Sequence, residues 1–238
     1  NMTREVGELL LNWKTASNPT NLRLQGEHVF IDEINDKDHS EQLYKSYKAD
    51  KNGEIWDYMA VGPFANLTEF KEWVKSIQGK KDPHFFIIGD VKSQNAVGIL
   101  SYMRIKPMEG CIEIGNISFS PKLKNTVAGT EAMYLTMNWA FENGYRRYEW
   151  KCNSLNKKSR KAAQRLGFSF EGLFRQATIV KGRNRDTAWF SVIDTEWKEL
   201  KKCYKTYLNK KNFCANGIQK ISLSSLTQPI LKQKDPSL

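Results

Sequence analysis

Asn156 and Ser159 stand three residues apart at the head of a stretch, NKKSRKAAQRLGF, that has the period of a helix. Six basic side chains (Lys151, Lys157, Lys158, Arg160, Lys161 and Arg165) fall between Lys151 and Arg165 with no acid among them. That is more positive charge than a solvated helix needs, and its chemistry is anion binding. Helical geometry places Ser159, Ala162, Ala163 and Leu166 on one face and turns Lys157, Lys158, Lys161 and Arg165 mostly outward. Two alanines allow a close approach to that face, and Gly167 ends the helix as glycine does at a C-terminus. The plainer reading of the same residues is an N-cap Asn, a small packing Ser and a hydrated cationic surface.

The elements that must position this helix follow from patterning. His28–Asn35 alternates as a strand, 38–50 reads as a helix, and 54–64 (EIWDYMAVGPF) is a turn-rich aromatic segment. Asn66 offers an N-cap to a helix ending near Gln78. His84–Val91, Asn95–Ile105 and Cys111–Ser120 are β-rich runs joined by short polar turns, which predicts an antiparallel meander. The period then changes: helix over 129–143, strand over 146–152, the cationic helix, two closing strands over 168–180 and 186–194, and a last helix over 195–208. Fold class is therefore mixed α/β (α+β). Residues 1–23 read as an N-terminal extension, 24–208 as the domain, and 209–238 as a basic tail, five lysines to one acid, expected to be mobile or loosely docked.

Composition sets the outer limits. At 238 residues and 40% hydrophobic the chain can bury a real core, which excludes a disordered protein. A net charge of +11 calls for an anionic partner, with nucleic acid, an anionic surface and a phosphate-bearing cofactor unranked by charge alone. Four cysteines without a CxxC pair, no signal-peptide pattern and no apolar run of about 18 residues predict a reduced, cytoplasmic protein without membrane contact. His28, His39 and His84 lie on separate segments, so neither a histidine base nor a metal is expected.

Ordered motifs sharpen this. Asn156-x-x-Ser159-x-x-Ala162 followed by Leu166-Gly167-Phe168-x-x-Glu171-Gly172 resembles the second cofactor motif of the GNAT superfamily of acetyl-CoA-dependent N-acetyltransferases, closest to its RimJ/RimL-like branch. Cys111–Gly115 with Ser120-Pro121 and Thr130-Glu131-Ala132 is similar to that branch's strand, phosphate loop and helix. Trp56-Asp57-Tyr58, Gly62-Pro63-Phe64 and Arg183-x-Arg185-Asp186 agree at the flanks. The resemblance covers about residues 24–208. It implies a mixed, mostly antiparallel central sheet with splayed fourth and fifth strands and flanking helices.

It also implies roles. Lys124, Asn125, Thr126, Val127, Ala128 and Gly129 fall on the pyrophosphate loop, with Val127 where glycine is usual, and Thr130 opens the helix behind it. Backbone groups near Ile117, Ser118 and Phe119 would bind the pantetheine arm and polarise the thioester carbonyl. Asn156 would hold that arm, Ser159 would protonate the leaving thiolate, and Arg160 with Lys124 would meet phosphate. Glu113, sharing a strand face with Gly115 and Ile117, is the expected general base; a carboxylate paired with a nearby cation is the structural alternative. Trp56, Tyr58 and Phe64 would wall the acceptor, although aromatics more often serve the core. The implied reaction is direct acetyl transfer from acetyl-CoA to a primary amine, a protein N-terminus or a small molecule, without metal. A nucleic-acid- or ribosome-binding module and an inactive acyl-CoA sensor remain as alternatives; acceptor, turnover and oligomeric state are not fixed by the sequence.

Overall fold

Alternation along His84–Asp90 sets the layering: Phe85 and Ile87 are buried in one core, Phe86 and Ile88 in another. A strand apolar on both faces must be covered on both. In the computed structural model, which describes residues 5–238, eight strands among the described residues form one sheet. They are β1 (Leu24–Gln25), β2 (Val29–Glu33), β3 (His84–Asp90), β4 (Ala96–Lys106), β5 (Cys111–Phe119), β6 (Arg147–Asn153), β7 (Ser169–Val180) and β8 (Arg183–Ile193). The spatial order is β1-β2-β3-β4-β5-β6-β8-β7, and every neighbouring pair is antiparallel except β5–β6. The meander and closing hairpin are as the patterning predicts. The two-residue β1 moves the parting pair to fifth and sixth.

Helices α1 (Asp36–Tyr47) and α2 (Leu67–Ile77) cover one face, packing Leu43, Tyr47, Phe70 and Val74 onto Phe85, Ile87 and Ile99. On the other face lie α3 (Val127–Glu142), α4 (Lys157–Arg165) and α5 (Asp194–Leu208), with Ala132, Met137, Ala163 and Leu200 in the larger core. Four of these five starts are capped by a side chain. Asn35, Asn66, Thr126 and Asn156 accept from the amides of Asp38, Glu69, Gly129 and Ser159. Gly167, at φ 93°, ends α4, and a Cβ there would press into Leu200.

Segments on both sides of the sheet region pack onto this frame. Residues 1–4 of the N-terminal extension lie outside the described residues, but Trp13 donates to the Met108 carbonyl (2.9 Å), and Ala16 and Leu22 are buried. The C-terminal segment corrects the expectation of a mobile tail. It forms α6 (Leu223–Thr227) with Leu223 and Thr227 fully buried, and Thr227 donates to the Arg165 carbonyl (2.9 Å). Asp235, with no exposed side-chain surface, accepts a fork from Arg160 at 2.6 and 2.7 Å. Lysine-rich composition suggested mobility, but a minority of apolar residues and one aspartate fix the segment in place.

Candidate active site

The parallel pairing of β5 with β6 lasts for three rungs, Cys111–Glu113 against Arg147–Glu149. Beyond Glu113 the strands part. Their divergence has a local cause in β5: Asn116 adopts φ 49°, the register with β4 shifts there, and its side-chain amide donates to Ser101 Oγ (2.9 Å). Among the described residues no strand pairs with the β6-facing edge of β5 from Ile114 to Phe119. Tyr47 stiffens that stretch from behind, donating to the Ser118 carbonyl (3.0 Å) and sharing a hydrogen bond with Ser118 Oγ (2.5 Å). Burial pushes the Tyr47 hydroxyl well above its ordinary pKa, so it stays protonated.

A cleft of about 2390 Å³ runs through the gap. One end lies at the start of α3. Lys124 and Thr126 return their amides to the Ser120 and Leu123 carbonyls, and Gly129 donates to Thr126 Oγ1 (3.1 Å). Among the described residues the amides of Asn125, Val127 and Ala128 make no hydrogen bond. Three open donors at a helix N-terminus suit an anion. Asn125 takes φ 59°, and Gly129 is required by packing, because a Cβ there would stand 2.7 Å from the Leu123 carbonyl oxygen. Lys124, Lys157 and Lys161 line this end, while Lys158 is drawn off to Glu54 (3.4 Å).

At the parting point sits a charged cluster. Glu113 is 3% exposed and accepts from Arg104 (2.7 Å), with Lys151 Nζ at 3.0 Å; Lys151 also lies 3.0 Å from Glu149, which Arg147 holds at 2.7 Å. Burial raises the Glu113 carboxyl above its usual value, and Lys151 and Arg104 offset that only in part. Burial also opposes the Glu149 charge, but Arg147 and Lys151 outweigh it and hold that carboxyl below its usual value. Two carboxylates 36 positions apart in sequence are thus displaced in opposite directions from the usual glutamate value. Lys151 packs over the Trp189 ring at 3.8 Å, so this cation belongs to the cleft and not to the outer surface.

The parted strands, free edge and helix-start anion site are the geometry that the cofactor motifs imply. The acetyltransferase (GNAT) domain family matches residues 29–169, over half of the chain. The chain belongs to the GNAT acetyltransferase family. A GCN5-related N-acetyltransferase from Brucella melitensis is 40% identical, with 92% of this chain and all of that one covered at a TM-score of 0.89. A probable GNAT acetyltransferase from Chromobacterium violaceum is 36% identical over 82% of this chain and 98% of that one, TM-score 0.76. More distant is the ribosomal-protein-serine acetyltransferase of Escherichia coli, 23% identical over 145 residues, 55% of this chain and 81% of that protein. Membership supports acetyl-CoA-dependent acetyl transfer and an acyltransferase enzyme.

Within this GNAT frame, Glu113, Ile117, Ser118, Phe119, Lys124–Thr126, Val127, Gly129, Thr130, Asn156 and Ser159 all line the cleft. Ala128 is half-buried beside them and presents its amide. Asn156 Oδ1 is engaged as the α4 cap (3.0 Å), so only its NH2 remains to meet a ligand. Ser159 Oγ accepts from Trp150 Nε1 (3.1 Å), which leaves the hydroxyl proton to give away. Three expectations need correction. Arg160 is 5% exposed and turned from the cleft into its pair with Asp235, because that partner, 75 residues on, is invisible to local pattern. Trp56 and Phe64 stack edge-to-face at 5.2 Å within the α1–α2 core, and of the proposed aromatic wall only Tyr58 lines the cleft.

Periodicity also missed residues. Arg165, expected to point outward, donates to Thr130 Oγ1 (3.1 Å) and to Tyr207 Oη (3.2 Å), joining α4 to the α3 start. Arg104 and Arg185 enter from β4 and β8. Glu131, buried in the first turns of α3, accepts from the amides of Glu27, His28 and Val29 at 2.7–2.9 Å and so fixes the β1–β2 turn at the cleft mouth. Its sequence signal was a carboxylate in the first turns of a mostly apolar helix, within the Thr130-Glu131-Ala132 motif. The Cys152 thiol is raised by burial and stays protonated, which makes it a poor nucleophile.

Proposed function

We propose that this GNAT enzyme moves an acetyl group directly from acetyl-CoA to a primary amine, with Glu113 as the general base. The observation that carries the reading is Glu113 itself: a carboxylate at the last paired rung before the strands part, buried, facing the cleft, and raised above the ordinary glutamate pKa. A base is most effective when its pKa approaches the working pH. Lys151 and Arg104 keep it ionised enough to accept a proton.

The remaining residues fit the cofactor. The open amides of Asn125, Val127 and Ala128 with Lys124 would hold the pyrophosphate, and the free edge at Ile117–Phe119 the pantetheine arm. Bound acetyl-CoA supplies the thioester carbonyl that the amine attacks. Backbone donors on the β5 edge would face the developing oxyanion, Glu113 takes the ammonium proton directly or through one water, and Ser159 returns a proton to the departing sulfur. Tyr58, Glu54 and Asp57 line the cleft on the α1–α2 side, and their acids suit a cationic amine. A protein N-terminus is one acceptor class, supported by the name of the E. coli relative; a small-molecule amine is the other.

The test is an acceptor screen that reads free thiol, followed by Glu113→Gln. The variant should keep CoA affinity, lose roughly 10²- to 10⁴-fold in kcat and lose the acid limb of the pH profile. Because the deprotonated form is active, wild-type activity rises with pH through a pKa displaced above that of an ordinary glutamate. Wild-type kcat and an unchanged profile in a folded Glu113→Gln would remove it as the base.

A further inference from the structure

Resting on the acetyl-CoA reading, one part of the cleft has no role assigned by any motif: its outer wall is built by residues 207–219, beyond the matched family region. Here the chain leaves α5 and turns back on itself. Cys214 donates to the Ile218 carbonyl (2.8 Å), Gly217 to Cys214 (2.8 Å), and Phe213 bridges Gln219. Gly217 at φ 79° permits the turn. Asn212, 6% exposed, locks the base: its side-chain NH2 donates to the Tyr207 and Ile221 carbonyls (3.0 Å each), and its Oδ1 accepts from Ile221 N (2.9 Å).

This hairpin is physically continuous with the anion site. Thr130 at the α3 start binds Arg165, Arg165 binds Tyr207 and lies over its ring, and Tyr207 stacks edge-on against Phe213 at 5.7 Å. Phe213 and Ile218 present apolar surface to the cleft, and Ile218 is 61% exposed. Lys210 stands at the hairpin's foot, paired across the cleft mouth with Glu27 (2.8 Å). An apolar face flanked by cations, next to open amides, matches a nucleotide with a phosphate on each side.

We propose that the hairpin spanning 212–221 receives the adenosine bisphosphate end of coenzyme A, with Phe213 and Ile218 against the adenine and Lys210 and Lys124 on the phosphates. The segment read from composition as a loose tail is then part of the binding site. Base–aromatic contacts contribute roughly 1–3 kcal/mol per base, so removing this face should cost at least about fivefold in affinity.

Calorimetry on the full chain with CoA and with 4′-phosphopantetheine tests it. Wild type should bind CoA tighter than phosphopantetheine. Phe213→Ala/Ile218→Ala should weaken CoA at least about fivefold and leave phosphopantetheine binding unchanged. Hydrogen exchange on wild type adds a readout independent of variant folding: CoA, and not phosphopantetheine, should protect amides 213–219. Tight CoA binding with unchanged affinity in the double variant and no protection at 213–219 would overturn the hairpin assignment alone. A wild type that binds neither ligand would overturn it together with the acetyl-CoA reading.

Discussion

Replacing Asp235 with Ala should destabilise the whole domain, although the residue lies outside the sheet and the helices that cover it. The wild-type carboxylate accepts both Arg160 contacts and two more hydrogen bonds, from Ser237 N and Ser237 Oγ at 2.9 Å. Asp235→Ala leaves the guanidinium, whose side chain is 6% exposed, with only the Ser154 carbonyl (2.9 Å). Stranding one partner of a buried pair costs about 3–5 kcal/mol. For a chain of this size each kcal/mol moves Tm by roughly 2–4 °C, so the expected loss is roughly 6–20 °C by calorimetry or circular dichroism at neutral pH. Arg160→Met/Asp235→Ala should recover much of it, since removing both charges leaves no buried ion unpaired. The pH dependence has a fixed sign. Burial opposes the Asp235 charge, but Arg160 and Ser237 outweigh it and hold the pKa below the ordinary 3.8. Its contribution is therefore complete above that value and is lost as pH falls through the folded pKa, so the two melting curves converge in acid. A Tm for Asp235→Ala within 1 °C of wild type at neutral pH would refute the docked tail.

Asn156→Ala should lower stability by about 1 kcal/mol through its lost cap and weaken CoA binding more than Ser159→Ala, whereas Ser159→Ala should lower kcat; paired melts, titrations and kinetics separate these, and equal small effects would leave both residues as cap and packing. Gly129→Ala forces a Cβ against the Leu123 carbonyl and the Phe119 ring, so we expect about 1–3 kcal/mol of destabilisation and weaker CoA binding in thermal shift. Saturating CoA should raise the wild-type Tm by the linkage relation, and no shift at all would count against the cleft.

Elements were legible wherever local chemistry decides them. Asn66 and Asn156 cap helices that start where expected, Gly167 stops α4, and period-two runs give β3, β4 and β5 nearly to the residue. The loop that opens α3 was legible as well, because a loop before a buried helix is a short-range pattern. Partner choice was not. Arg160 and Arg165 sit five apart on one cationic helix, yet one is neutralised by Asp235 and the other spans to Thr130 and Tyr207. Trp56 and Tyr58 lie two apart, one in the core and one at the cleft, and only the packing of α1 and α2 tells them apart. The strand face of Glu113 was legible, but its contacts with Lys151 and Arg104 were not, because register and side-chain reach between neighbouring strands leave no local pattern.

The Arg160–Asp235 pair also orders events in time. On a chain made from its N-terminus, sheet and helices through β8 can assemble while Asp235 has yet to be added. Until then α4 must either carry an unpaired cation into the core or stay unseated, and both options disfavour the helix that borders the cleft. Residues made after the whole sheet therefore complete the enzyme's interior, and a nascent chain that has not yet reached Asp235 would hold most of the fold without a settled site.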